Sequence, residues 1–568
     1  MKAAMPVAIQ HLHTYFLFAF SMDREAMVLD YPEFWAKYPN WFEALDAWIT
    51  STPAKGKSAL ADGLGPWRRS PYRQFDMDSA AYQDMVFFHP FVRRVFFDSA
   101  ELGAGGGEHE SLLHVYTIPI QDGEKVFYEA EDVKGRRASV EVTDLRLMMF
   151  ANGVGILSIG VEAFHRTVEE VLWINEQMRK VYPSSGRQVR EARFPNRLRF
   201  TLERDGAREV LAEERFEKGE MIGFQPPLAS TITSLLYFAN YQHQEFEPVL
   251  DERTIVYTFL NIDPRTVPAG FLQSEEYQVL LSRILYVDLA GADYRYQPEF
   301  LKSQMDSQVY RRWAHQGTYY GFTSYSNVTT TVGSFDCDEH DLREGFLIHR
   351  MFRTKYYLMA VVTLFYRATL LGFSERTALV SKRLYRDQEN GKFSGEILRL
   401  ANDLRGDFLH FSNYWHFDEL ANKDEELEHF RLQCDQYRTE AMKQEIADEI
   451  DKLNASLHNY YQFRNTEAVN RLAMLSLIFG AGAVLTGFFG MNFGRAFGKL
   501  FFEPDYATPW VHYVSVGIVT VIAFGAIAFG FYVVFSNWVD YRDTFITQLD
   551  KSQRQIGSLR RVEGPKSE

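Results

Sequence analysis

The residues that could do chemistry fall into a few short stretches. "FDCDEHD" (335–341) gathers Asp336, Asp338, Glu339 and Asp341 around Cys337 and His340, a carboxylate set that can hold a regulatory cation or simply form a solvated acidic loop. "DFLHFSNYWHFDEL" (407–420) places His410 and His416 near Asp407, Asp418 and Glu419, and reads more plainly as an aromatic-packed helix. "AKGKSALADG" (54–63) has the look of a phosphate loop, but Ser51 stands where the first glycine belongs. No GxSxG elbow and no HExxH pair occurs, and Cys337 and Cys434 are too few and too far apart for a disulfide framework or a thiolate zinc site. The remaining stretch is "GFFGMNFGR" (487–495), in which Gly490-Met491-Asn492 closes a run without ionisable groups. None of this is an enzyme's constellation.

The elements that must position these residues change character along the chain. The 568 residues suffice for several domains, and a formal charge of −14 leaves no basic face for nucleic acid. The first twenty residues carry Gln10, His11 and His13 inside their apolar run, so they read as a strand rather than a signal peptide. Stretches 12–22 and 112–120 predict strands, 31–49 an amphipathic helix, and 145–162 a hairpin turning at Asn152-Gly153, a pair that tolerates positive φ. A helix follows at 168–183, then further strands within 197–203, 253–263 and 317–332. Residues 1–340 thus predict a cytosolic α+β domain of one or two subdomains, and 341–421 its helical part. The apolar stretch 342–373 is interrupted by His349, Arg350, Arg353, Lys355 and Arg367, which favours a buried helix over a membrane span.

From Asp407 to Phe479 there is neither glycine nor proline. Leu427, Phe430, Cys434, Tyr437 and Ala441 keep helical spacing, and Ile446, Ile450, Leu453, Leu457 and Tyr460 resume it one step out of phase. This predicts a long stalk over 422–471, continuous toward 490, with acidic outer faces at Asp424, Glu425, Glu426, Glu428, Glu445, Asp448, Glu449 and Asp451. Stretches 472–494 and 506–539, the latter broken only by His512, each exceed the ~20 residues that cross ~30 Å of hydrocarbon. With 495–505 as a short loop and 540–568 as a charged tail, the chain predicts a two-helix transmembrane hairpin. Arg464 and Arg471 before it, and Arg542, Lys551, Arg554, Arg560 and Arg561 after it, put both termini in the cytosol, so the protein reads as a multi-pass plasma (inner) membrane protein. Two helices cannot enclose a pore, so a conduit needs several copies. Ala483/Gly487 and Gly490/Gly494 are small-xxx-small pairs suited to close helix contact, which equally suits a plain anchor.

A proline-free stalk, a first span ending in Phe489-Gly490-Met491-Asn492, a short loop, a second span and a charged tail together resemble the CorA-type magnesium transporter superfamily, whose hallmark is Gly-Met-Asn at this place. The resemblance covers about 340–545; before that it is one of class only. It implies a homopentameric funnel in the bilayer that passes divalent cations, magnesium first, with no cofactor. It further implies a filter at Gly490, Met491 and Asn492, with Asn492 holding the metal through its water, and a pore lined or gated by Leu472, Ser476, Gly480, Ala483 and Gly487, with Asn465 and Thr466 at the cytosolic mouth. The acidic Asp336, Asp338, Glu339 and Asp341 would be regulatory. Magnesium sheds water reluctantly, so a ring of neutral carboxamides can hold the hydrated ion without binding it too firmly to leave. Met491 offers soft sulfur, a poor partner for a hard ion. Two departures stand out: Gly480 lies where relatives carry a bulky residue, and Arg495 and Lys499 follow the motif where relatives often have acids. The alternatives are a zinc-type relative and a membrane-anchored oligomeric sensory or interaction protein.

Overall fold

The computed structural model describes residues 7–38, 40–51, 58–71, 86–98, 111–182, 189–216, 225–250, 253–289, 296–333, 338–389 and 395–488, with scattered positions between 510 and 532. The chain divides into two units, Met1–Asn454 and Ala455–Glu568.

The first unit is an α/β domain followed by helices. Its strands are β1 (Ala8–Met22), β2 (Arg68–Arg69), β3 (Leu113–Thr117), β4 (Lys125–Glu131), β5 (Arg137–Phe150), β6 (Val154–Thr167), β7 (Arg197–Arg204), β8 (Ala207–Arg215), β9 (Phe246–Pro248), β10 (Ile255–Ile262), β11 (Val309–Tyr310), β12 (Tyr319–Phe322) and β13 (Ser326–Val332). Among the described residues these join into one sheet with the main order β11-β12-β13-β10-β1-β6-β5-β4-β7-β8. All its pairs are antiparallel except β10 with β13. The apolar run at the N-terminus is therefore the central strand β1, and it is buried over nearly its whole length.

Local chemistry explains the best-defined pieces. β5 and β6 meet at Asn152-Gly153 as expected: Gly153 adopts φ +90°, and the Asn152 side chain accepts the Val154 N–H at 3.2 Å. Two residues on, β6 crosses Phe20 so closely that a Cβ on Gly155 would stand 2.2 Å from the ring. The principal helices are α1 (Trp41–Ser51), α2 (Val168–Met178), α3 (Glu275–Tyr286), α4 (Pro298–Ser307), α5 (Leu347–Arg353), α6 (Lys355–Glu389), α7 (Gly395–His410), α8 (Asp424–Tyr437) and α9 (Thr439–Phe488). A capping box starts α2: Thr167 and Glu170 exchange side-chain to backbone hydrogen bonds at 2.8 and 3.2 Å.

β1 has a different partner on each face, as strand alternation requires. Thr14 donates to Asn175 of α2 at 3.0 Å on one side. On the other, Tyr15 packs on Phe352 of α5 with rings 5.8 Å apart, and Phe150 of β5 stacks on Phe365 of α6 at 4.1 Å. The Tyr257 hydroxyl donates to the Phe352 carbonyl at 2.8 Å. Leu347–Arg386 is long and apolar enough to cross a membrane, but 72% of its apolar window is buried. Its contacts are those of a helix laid on a sheet, in agreement with the expectation for 342–373.

Four expectations need correction. The single helix expected over 31–49 is two: Pro32–Trp35 and α1. Pro39 lies between them in sequence and disfavours helix at the residue before it. The helical reading of 407–420 holds only to Trp415, where a π-helical turn ends the segment. The stalk expected to run unbroken from 422 is interrupted at Arg438, which takes a left-handed conformation (φ +55°) between α8 and α9. The break falls at the phase slip between the two apolar series: Phe430 and Tyr437 are buried in α8, Ile446, Ile450, Leu453 and Leu457 in α9, and Ala441 between them is exposed. Nor is the acidic face wholly solvated, since Glu426 is buried and its carboxylate meets Lys355 Nζ at 3.1 Å.

Two outcomes follow. Glu426→Ala leaves the partly buried Lys355 ammonium without its carboxylate and should destabilise the first unit by about 1–3 kcal/mol. This reads as a lowered unfolding midpoint, and the pair Lys355→Met with Glu426→Leu should restore most of it. Buried His114, stacked on Phe42, has its pKa pushed down to about 4 by burial and by Arg69. Buried His429, wedged against Tyr320, has its pKa pushed down to about 3 by burial and by Lys355. Unfolded imidazoles titrate near 6.5, so below that pH the unfolded chain binds more protons. Stability then falls as pH drops from about 6.5 toward 4, by up to about 1.4 kcal/mol per pH unit for each imidazole. Denaturation midpoints at pH 7.5, 6 and 5 measure the decline, and His114→Gln should shallow it.

Candidate conduction helix and a buried histidine cluster

α9 is one helix of 50 residues, about 75 Å long at 1.5 Å per residue. At 100° per residue, Asn465, Leu472, Ser476, Gly480, Ala483 and Gly487 fall within an arc of about 80°. Thr466 lies about 80° from the midline of that arc and does not share it. Val469, which the sequence reading passed over, does. All the residues of this stripe are exposed in the single chain, Leu472 at 65% and Val469 at 56%. A Cβ on Gly480 or Gly487 would meet nothing within 4 Å. The Thr486 hydroxyl donates back to Gly482 O at 2.8 Å, so it is satisfied within the helix. The stripe is thus small or apolar, free of charge from Val469 to Gly487, and polar at its start. Gly490, Met491 and Asn492 lie outside the described residues, as do Arg495 and Lys499.

The acidic candidates do not converge. Asp336 and Cys337 lie outside the described residues; Asp338, Glu339 and Asp341 are exposed. Asp338 Oδ1 accepts the Asp341 N–H at 2.8 Å, a local cap, and Glu339 lies 3.7 Å from His165. His416 stacks on Tyr366 at 4.5 Å, consistent with aromatic packing.

A cluster that the sequence reading did not single out is built on the central strands. His11 and His13 stand two apart on β1 and therefore on one face, and the β1–β6 register sets His13 opposite Glu162. α5 lies over this face and brings His349 down onto it. All four side chains are buried. His11 Nε2 is 2.6 Å from Glu162 Oε1, and His13 Nδ1 is 2.8 Å from His349 Nε2. Glu162 Oε1 lies 3.7 Å from His13 Nδ1 and 3.9 Å from His349 Nε2. Arg343 Nε stands 2.6 Å from the other carboxylate oxygen as an ion pair, without hydrogen-bond alignment. Burial lowers the pKa of all three imidazoles. His11 is partly compensated by Glu162, His13 falls well below the ordinary range with help from His349 and His11, and His349 falls to about 2 with help from His11 and Arg353. Burial thus favours the neutral form of all three rings. The signal was present in sequence as alternating histidines in an apolar strand, where it had been read only as evidence against a signal peptide.

Residues 360–533 match the family model described as CorA-like Mg2+ transporter protein. The matched segment starts inside α6, contains α7 to α9 and the Gly490-Met491-Asn492 motif, and leaves out the sheet and all four residues of the histidine cluster. No curated protein matches the chain.

Proposed function

Starting from a chain whose residues 360–533 are CorA-like, we propose that the protein is a multi-pass plasma-membrane channel or transporter for divalent cations, magnesium first, and not an enzyme. The observation that carries this reading is the exposed stripe of α9 inside the matched segment. Val469, Leu472, Ser476, Gly480, Ala483 and Gly487 form a narrow uncharged face, exposed like Phe479 and Gly482 outside it, and Gly490-Met491-Asn492 follow it in sequence. A lone small-residue face has no use in lipid, where helices associate through close backbone contact. Several copies turned inward, five on the family pattern, would make a conduit from it.

In that assembly Asn492 holds the ion through its water shell, Gly490 lets the helix ends converge, and Leu472 narrows the path as an apolar gate. Asn465 is the polar mouth. Both termini lie in the cytosol, on the side of Arg464, Arg471 and the basic tail. No nucleotide is needed: a membrane potential supplies ~2.3 kcal/mol per charge per 100 mV, so ~4.6 kcal/mol for a divalent ion. Arg495 and Lys499 place positive charge after the motif, which would slow entry and make it depend on ionic strength. The large domain outside the match keeps a second reading in view, an oligomeric anchor for a sensory or interaction module.

Magnesium uptake into liposomes carrying the purified protein tests the choice. Wild type should take up the ion, and Asn492→Ala should lose at least tenfold in rate while keeping its assembled mass. Absence of flux from correctly assembled wild type would leave the anchor reading. Gly487→Leu should leave the unfolding midpoint of the first unit unchanged, yet abolish flux or shift the assembled mass in detergent.

A further inference from the structure

We propose that His11, His13, His349 and Glu162 bind one zinc-class divalent ion that ties α5 to the central sheet. The site lies wholly outside residues 360–533 and does not rest on the transport reading. Other groups of histidine and carboxylate converge among the described residues, at Asp30/His243/Glu245 and His416/Asp418/Glu440, but each includes exposed members; this one is entirely buried.

His11, His13, His349 and Glu162 each offer one donor atom, and the four lie within 4.8 Å of one another. A tetrahedral zinc ion with bonds of about 2.0–2.1 Å holds its donors roughly 3.3 Å apart. Four of the six donor separations, 2.6, 2.8, 3.7 and 3.9 Å, bracket that value, each within about 0.7 Å of it. Three imidazoles and one carboxylate suit a borderline first-row ion and not magnesium, which takes oxygen donors in octahedral array.

Outer contacts orient three of the four donors; the fourth, His11, has no hydrogen-bond partner at Nδ1 among the described residues. His349 Nδ1 faces the Arg343 carbonyl at 3.1 Å and must donate to it, so His349 Nε2 carries a lone pair. His13 Nε2 faces Thr143 Oγ1 at 3.3 Å, and that hydroxyl also reaches Asp144 Oδ2 at 3.4 Å. Thr143 has one proton. Given to the Asp144 carboxylate, it leaves His13 Nε2 as donor, and His13 Nδ1 then presents a second lone pair to His349 Nε2 at 2.8 Å. Two lone pairs at that distance repel unless a cation lies between them. Arg343 engages Glu162 Oε2, leaving Oε1 turned toward the three nitrogens. Its side chain is partly exposed and marks the way in.

The competing arrangement has no metal. Thr143 donates to His13 Nε2, and His13 Nδ1 donates to His349. Metal analysis of the full-length protein separates the two. After exposure to Zn2+ and removal of free ion, wild type should retain close to one zinc per chain, and cobalt in its place should give the intense visible bands of tetrahedral Co2+. His13→Gln and His349→Gln should each lose the ion, and Asn492→Ala should keep it, which separates this site from the pore. No retained zinc in wild type, octahedral cobalt, or an ion indifferent to both histidine changes would overturn the proposal. The wild-type cobalt spectrum decides the matter if the variants fail to fold.

Discussion

Hydrocarbon offers no hydrogen bond to a peptide group, and that constraint governs the part of the chain that carries the proposed function. An uncharged run long enough to cross a bilayer must satisfy its backbone internally, so it must be helical. α9 meets the requirement as far as Phe488, and Thr486 returns its hydroxyl to the helix instead of exposing it. What the backbone cannot supply is packing for the face of small residues. On the proposed reading other copies supply it, and the conduit follows from that packing more than from any single residue.

The first unit answers to a different solvent. Its central strand β1 is buried over nearly its whole length, and polar groups beside it are tied to neighbouring elements, Thr14 to Asn175 and Tyr257 to the Phe352 carbonyl. Glu426 with Lys355 joins α8 to the start of α6, and the histidine cluster joins α5 to β1 and β6. Both ties act on the helices that lead into the CorA-like segment, which begins at residue 360. An ion at the cluster would fix α5 where a hydrogen-bonded pair of imidazoles only positions it. The proposed cargo and the proposed bound ion differ in kind: a hydrated magnesium ion meets a neutral amide, and a dehydrated zinc-class ion meets imidazole nitrogen.

Much of the fold was legible where it is decided locally. Asn152-Gly153 marked the β5–β6 turn through its tolerance of positive φ, and the strand character of β1 followed from its apolar run. The interruption at Arg438 was half legible. Arginine has no preference for the left-handed region, so nothing at that residue announced it, but the slip in apolar phase between Tyr437 and Ile446 did. The parallel pairing of β10 with β13 and the register of β1 against β6 are non-local, and with them the histidine cluster, whose members come from positions 11, 13, 162 and 349. For the proposed conduction helix, the stripe from Asn465 to Gly487 could be read from 3-4 spacing alone, and its exposure in the single chain is what the structure adds.

The most direct measurement of the central claim is thiol accessibility along α9 during transport. With Cys337 and Cys434 replaced, single cysteines are placed at Leu472, Ser476, Ala483 and Gly487, and at Leu475 and Gly482, which lie about 100–120° from the midline of the stripe. The account predicts that a charged, membrane-impermeant thiol reagent blocks magnesium flux at the first four positions and spares it at the last two. Equal block at both sets, or block confined to Leu475 and Gly482, would contradict it.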